Sequence, residues 1–323
     1  MALKIAINGF GRIGRAVMRI AFTRDDIEVV AINDLADEAM MLHLLKYDSV
    51  HGTFDKNFTF DGIAISQESE PKNLNFASAG AELVLECSGL FLTQELVKTH
   101  IEKGVKKVIL SAPTEDTITP TFVMGVNHKA YKGEAIISNA SCTTNCLAPI
   151  ASILDEAYGI EKGLMTTIHS YTNDQNLLDV KHNRDIRRSR AAAINMIPTT
   201  TGAAKALSRV LPQLKGKLDG TSIRVPTPDV SMVDLTLHLS KKTSQADVIA
   251  LLNEKAKTEY KGLLLIDKDK RVSQDFVGSS FSAIVAEDLI QVMGEDMLGI
   301  RAWYDNEWGY STRLLDMAIH ISK

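Results

Sequence analysis

KIAINGFGRIG (4–14) carries a short apolar run straight into three glycines. KIAIN (4–8) reads as a buried strand, and residues 12–23 read as a helix. Between them Gly9, Gly11 and Gly14 match G-x-G-x-x-G. At a strand-to-helix junction the first glycine makes a tight turn and the second lets backbone approach a pyrophosphate. The third lets helix and strand pack closely. Amides at the helix start then face an anion. EVVAIND (28–34) reads as the next strand and ends at Asp34, where a carboxylate can bond an adenosine ribose and repel a 2′-phosphate. That reading favours NAD over NADP; a plain glycine-rich turn with an exposed aspartate is the alternative.

Working outward, LVLEC (83–87) and KKVILSA (106–112) repeat the strand theme, with helical patterns over 37–46 and 93–103. Strand–helix alternation predicts a doubly wound, mostly parallel sheet of the Rossmann type. The second half changes character. In MVDLTLHLS (232–240), Val233, Leu235, Leu237 and Leu239 alternate with polar residues, as in a sheet with one dry face. TSIRVP and SAIVAE are shorter strand candidates, and helices are expected near 202–211 and 245–260. Leu314, Leu315, Ala318 and Ile319 give a last apolar helical stripe. The fold class is α/β, with an N-terminal Rossmann-type domain and a C-terminal α+β domain whose sheet is largely antiparallel.

The 323 residues suffice for two well-buried domains. A formal charge of −4 gives no general attraction to nucleic acid or anionic lipid. The basic run NRDIRRSR (183–190) is a single short cluster in an acidic chain and is not read as a nucleic-acid patch. Three cysteines cannot build a disulfide framework, which points to a reducing compartment. No signal-peptide pattern opens the chain, and no apolar run is long enough to span a membrane. The expectation is a soluble, cytoplasmic protein.

Two of the three cysteines fall in SNASCTTNCLAP (138–149). A helix starting at Cys142 would put its sulfur where unpaired amides and the dipole favour a thiolate. Cys146 would lie one turn on, as a buried companion. Pro149 argues against a regular helix, yet the apolar stripe persists to Gly159, a plausible stop. Structural zinc would need four ligands in tighter pairs, so no metal is expected. A disulfide within one helical turn reaches awkwardly. A pair of purely buried cysteines remains the alternative, against which the polar neighbours Ser141, Thr143, Thr144 and Asn145 weigh. A reactive thiol wants a base, and His169 closes an apolar strand where a polar loop opens. Spacing alone does not bring it to Cys142.

SNASCTTNCLAP resembles the active-site signature of the glyceraldehyde-3-phosphate dehydrogenase family. So do INGFGRIGR at the start, SAP (111–113), MGVNH (124–128), PTTTGAAKA (198–206), RVPTP (224–228) and YDNEWGYS (304–311). These motifs cover nearly the whole length in the family's order. The resemblance implies a phosphorylating, NAD-dependent glycolytic enzyme and a homotetramer. It implies a cofactor domain of 1–141 plus 306–323 and a catalytic domain of 142–305. Cys142 would be the nucleophile, forming a thiohemiacetal and then a thioester, and His169 its base. Arg12, Ile13, Asp34, Ser111 and Asn306, with the glycine loop, occupy NAD-contact positions. The substrate-phosphate site matches Thr172, Asp174 and Arg224. The inorganic-phosphate site matches Ser141, Thr143, Thr201, Gly202 and Arg188, with Arg190 the competing arginine. The aromatic residues of YDNEWGY read otherwise as core packing.

Two positions depart from the family pattern. ESEP (68–71) puts Ser69 where many relatives carry an arginine near adenine, and Val180–Lys181 replaces a Leu-Pro pair that helps exclude NADP. The nearest rival activity is erythrose-4-phosphate dehydrogenase, which typically lacks the threonine after His-Ser-Tyr and the TTTG run. Thr172 and residues 199–202 therefore favour the triose substrate. A cofactor-independent cysteine hydrolase would leave the glycine loop and Asp34 unexplained. An RNA-binding role finds no aromatic–basic platform.

Overall fold

The computed structural model describes residues 1–183 and 185–323. Arg184, within the basic run, lies outside the described residues. The chain divides into two compact units, Met1–Ser141 with Tyr310–Lys323, and Cys142–Gly309.

In the first unit, six strands run parallel: β1 (Leu3–Asn8), β2 (Ile27–Asn33), β3 (Ala64–Ser66), β4 (Leu83–Glu86), β5 (Lys107–Leu110) and β6 (Ile136–Ser138). Their order, β3-β2-β1-β4-β5-β6, reverses direction at β1. A crevice opens at such a switch point, beyond the strands' carboxyl ends. The helices α1 (Arg12–Ala21), α2 (Glu38–Lys46) and α3 (Gln94–Glu102) supply crossovers. The strands bury nearly every side chain, as a sheet covered on both faces must. Val84, Val108 and Leu110 pack there with Phe76 and Val97.

The second unit begins with α4 (Cys142–Tyr158), which runs unbroken through Pro149. Gly159, at φ +71°, ends it in the left-handed conformation that favours glycine. The strands follow as β7 (Ile160–Ser170), β8 (Ile197–Thr200), β9 (Leu218–Val225), β10 (Ser231–Leu239), β11 (Leu264–Asp267), β12 (Ala283–Ala286), β13 (Gln291–Met293) and β14 (Met297–Tyr304). They form one sheet in the order β8-β9-β7-β10-β14-β12-β11, with β13 beside β14. Only β7–β9 and β11–β12 pair in parallel. The helices are α5 (Ala203–Val210), α6 (Gln245–Lys257) and α7 (Trp308–Ile321), the last crossing into the first unit. β10 alternates as its sequence predicts, with Val233, Leu235, Leu237 and Leu239 buried. α4 covers this dry face, packing on β7, β10, β12 and β14.

Candidate active site

In the first unit a cavity of about 270 Å³ opens at the strand ends, lined by Gly9, Gly11, Asp34, Ser69, Cys87 and Ser88 among others. The three glycines have different jobs. Gly9 takes φ +95°, and a Cβ on it would stand 2.5 Å from the Ser88 amide nitrogen. A Cβ on Gly14 would lie 2.2 Å from the Gly9 carbonyl oxygen. One on Gly11 would meet nothing within 4 Å. So Gly9 and Gly14 are required by the fold, and Gly11 leaves open space before α1. No side chain caps α1, and its first amides suit an anion. A dinucleotide pyrophosphate fits this cradle.

Asp34 follows β2. Its Oδ2 accepts the Phe10 amide at 2.6 Å and Oδ1 the Ala36 amide at 2.9 Å, so it also pins the glycine loop. Arg12 pairs with Asp48. Burial would raise the Asp48 carboxyl, but the His51 and Val50 amides and Arg12 hold it at about 2. Ile13 is half-buried in the first turn of α1. Ser111 follows β5, and its hydroxyl bonds the thiol of Cys87, which burial pushes up to about 12.

Beneath the cavity lies a network that the sequence did not announce. Asn8, Asn33 and Glu86 end β1, β2 and β4, all buried. Asn33 donates to Asn8 Oδ1 at 2.8 Å, and Asn8 donates to Glu86. Burial pushes the Glu86 carboxyl up to about 7, against the hydrogen bonds from Ser88 and Asn8.

In the second unit the Cys142 thiol sits in the first turn of α4, with Sγ 3.5 Å from His169 Nε2. Just upstream, Ala140 holds φ +57°, a strained conformation for a residue with a Cβ. It is fixed by its amide donating to Ser138 Oγ at 3.1 Å and by Tyr310 Oη donating to its carbonyl at 2.9 Å. Cys146 is fully buried and burial pushes its thiol well up. All three cysteines are free thiols.

The electrostatics differ from the dipole-based expectation of a standing thiolate. Burial pushes the Cys142 thiol up, and Arg224 and the Thr143 hydrogen bonds offset this only in part. Burial, then the Arg224 charge, depresses His169 to about 3. Either charge alone is disfavoured. Passing the proton from Sγ to Nε2 creates both at once, 3.5 Å apart, so each stabilises the other. A thiolate here would form as half of an ion pair.

The other ring nitrogen has two neighbours. His169 Nδ1 lies 2.8 Å from the Ser170 carbonyl oxygen and 3.0 Å from Arg224 Nη1. With its proton on Nδ1, the ring donates to Ser170 and offers a lone pair to the sulfur. With its proton on Nε2, Nδ1 accepts from Arg224 and the ring can donate toward a reacting oxygen. The parallel register of β9 on β7 puts Arg224 opposite His169.

Arg224 Nη1 also reaches Thr172 Oγ1 at 3.5 Å. Arg188 pairs with Asp174 and donates from Nε to Thr199 Oγ1 at 2.9 Å. The Arg188 charge depresses the pKa of Arg224, after burial. Two guanidinium groups therefore face one region that Thr172 and Asp174 share. Arg190 instead pairs with Asp179 at 2.6 Å on the surface. Gly202 precedes α5 with open space about it, and Thr201 Oγ1 accepts the Ala203 amide at 3.2 Å. Ser141 is half-buried directly before α4. The Thr143 hydroxyl is buried, 2.8 Å from the hydroxyl of Tyr304, which also meets Thr167 at 2.9 Å. Tyr304, edge-on to His169, was read only as packing. Asn306 is buried, its Oδ1 bonded by Ser170 and Ser231.

Comparison with known proteins gives the arrangement a family. Residues 3–94 match the NAD binding domain of glyceraldehyde 3-phosphate dehydrogenase, and residues 141–306 match its C-terminal domain. Proteins named glyceraldehyde-3-phosphate dehydrogenase from Priestia megaterium and Geobacillus stearothermophilus are 50% and 49% identical, covering 100% of this chain and 99% of theirs. A chloroplastic form from Zea mays is 49% identical over 98% of this chain and 81% of its own. The chain belongs to the glyceraldehyde-3-phosphate dehydrogenase family.

Proposed function

We propose that this protein oxidises D-glyceraldehyde 3-phosphate to 1,3-bisphosphoglycerate, reducing NAD and incorporating inorganic phosphate. The observation that carries the reading is the Cys142 sulfur 3.5 Å from His169 Nε2 at the start of a helix. His169 takes the thiol proton as Sγ adds to the aldehyde carbon and passes it to the developing alkoxide, which gives the thiohemiacetal and leaves the imidazole neutral. NAD, when bound, supplies the acceptor for the hydride that leaves this carbon. His169 removes the hydroxyl proton in that step, and the acyl group stays on Cys142 as a thioester. A phosphate oxygen then attacks the acyl carbon, the carbon–sulfur bond breaks, and the acyl phosphate leaves. The Cys142 amide at the helix start and His169 are assigned as donors to the oxyanions of both additions.

Arg224 and Thr172, with Asp174 orienting Arg188, are assigned to the substrate phosphate and its neighbourhood. Arg188 with Ser141, Thr143, Thr201 and Gly202 is assigned to inorganic phosphate. Guanidinium forks suit both anions, and the Asp179 pairing of Arg190 supports choosing Arg188. Residues 1–141 with 306–323 are assigned to cofactor binding and 142–305 to chemistry. Gly9, Gly11, Arg12, Ile13, Gly14, Asp34, Ser111 and Asn306 are assigned as the cofactor contacts.

The protein is further proposed to work as a homotetramer. Leu177, Leu178, Ile186, Ile194 and Met196 are largely exposed in the single chain, and such apolar exposure marks surfaces that associate. Free thiols support the cytoplasm as its compartment.

The test is NADH formation with glyceraldehyde 3-phosphate, with and without phosphate, beside erythrose 4-phosphate. Phosphate-dependent turnover that prefers the triose is expected. Equal or better turnover of the tetrose, or activity indifferent to phosphate, would overturn the assignment.

A further inference from the structure

Asp174 and Arg188 stand on separate loops, and hydrogen bonds close those loops into a ring of five residues. Asp174, in the loop after β7, pairs with Arg188. Arg188 donates from Nε to Thr199 Oγ1 at 2.9 Å and from Nη2 to the Thr200 carbonyl oxygen at 3.2 Å. Thr199 Oγ1 in turn donates to Asp185 Oδ2. The Asp185 amide donates to His182 Nδ1 at 3.1 Å. His182 Nε2 lies 3.1 Å from the Asp174 carbonyl oxygen and 3.4 Å from Asp174 Oδ1, which closes the ring.

The ring fixes the His182 tautomer. The Asp185 N–H points at Nδ1, so Nδ1 holds a lone pair and the proton sits on Nε2. Nε2–H then donates to Asp174. One end of this clasp is a fixed post: Asp185 Oδ1 accepts the Arg187 amide at 2.8 Å and its carbonyl accepts the Arg188 amide at 3.1 Å. The other end would swing. The Asp174 side chain is 40% exposed, whereas that of His182 is 9% exposed. An ion pair made by so exposed a carboxylate holds little geometry by itself. Arg188 therefore depends on Asp174 being gripped from its far side, by the buried imidazole.

We propose that His182 is a positioning residue for phosphate recognition. It ties Asp174 to the Asp185 turn and so holds the Arg188 guanidinium in the region where the two phosphates are assigned. The proposal rests on the assignment of Arg188 and Asp174 to those sites. His182 acts through them and touches neither the thiol nor the reacting carbon.

The test is steady-state kinetics of the full-length protein with glyceraldehyde 3-phosphate and with glyceraldehyde, which lacks the phosphate. In His182→Ala the KM for glyceraldehyde 3-phosphate and the KM for inorganic phosphate should each rise about 5-fold, with kcat within about 2-fold. For glyceraldehyde at saturating inorganic phosphate, kcat/KM should stay within about 2-fold. Both aldehydes are read on one preparation, so an incompletely folded sample lowers both kcat values and leaves each KM in place. Equal loss with the two aldehydes would reveal a merely structural role and overturn the proposal. Unchanged KM values in His182→Ala, beside raised ones in Arg188→Ala, would overturn it too. Unchanged KM values in Arg188→Ala would remove the phosphate assignment beneath the proposal, and the proposal with it. Should His182→Ala fail to fold, His182→Asn carries the same expectation, since its shorter side chain can accept the Asp185 amide but stops short of Asp174.

Discussion

Two helix N-termini in this chain are built in opposite ways. At α1 side chains have been removed: Gly11 precedes the helix, no side chain caps it, and a Cβ there would meet nothing within 4 Å. At α4 a side chain has been placed in the first turn, Cys142, with an imidazole 3.5 Å from its sulfur. Both are helix N-termini, where the first amides have no carbonyl partner within the helix. The first leaves room for a ligand that brings its own negative charge. The second must generate its negative charge from a half-buried thiol, so it needs a partner to take the proton.

The largest expected effect comes from removing that charge source. Cys142→Ser should lower the oxidation rate by at least about 10⁴-fold, while NAD affinity measured by calorimetry stays within about 2-fold. A comparable loss in Cys146→Ser, in folded protein, would break the division between reacting and packing sulfur. At the other helix, Gly14→Ala forces a Cβ to 2.2 Å from a backbone oxygen. It should cost about 3 kcal/mol of stability in denaturant unfolding. Gly11→Ala should leave stability within about 0.5 kcal/mol, apart from its effect on ligand binding. Weaker NAD affinity in Gly11→Ala, with unfolding unchanged, would separate the glycine that serves the ligand from those that serve the chain.

Glu86 offers a pH test of the first region. Its carboxyl is raised from 4.5 to about 7 by burial. The folded state thus holds more protons than the unfolded state across that window, and stability falls as pH rises through it. Glu86→Gln keeps the shape and deletes the titration. Thermal unfolding of this variant should show a flatter dependence between those pH values; an unchanged slope would contradict the burial argument. The smallest effect is expected at the turn before α4. Ala140→Gly should relieve the φ +57° strain and raise stability by about 1 kcal/mol in denaturant unfolding.

The same contrast explains what was legible beforehand. The glycine loop could be read because its three glycines stand at fixed spacing between a strand and a helix, within seven residues of chain. The alternating burial of β10 follows from a period of two and was equally plain. His169 could be named as a strand-end histidine, but its approach to Cys142 depends on α4 folding back along β7. Register hid more. Ser170 and Ser231 reach Asn306, and Arg224 reaches His169, through pairings among β7, β9, β10 and β14 that no single segment encodes. The pairing of the Thr143 hydroxyl with Tyr304, far along the chain, was hidden in the same way. The thiol was read from its place at a helix start alone, and burial acts in the opposite direction, ahead of the Arg224 charge and the local hydrogen bonds.

The central claim is that the Cys142 thiolate is created by transfer of its proton to His169. It is tested most directly by the rate of Cys142 alkylation with iodoacetamide as a function of pH, in the parent protein and in His169→Asn. Paired charges predict appreciable reaction of the parent at neutral pH. In His169→Asn the profile should move up beyond the ordinary thiol range, with at least about 10-fold slower alkylation at neutral pH. Superimposable profiles for the two proteins would show that the sulfur ionises without the imidazole, and would contradict the account.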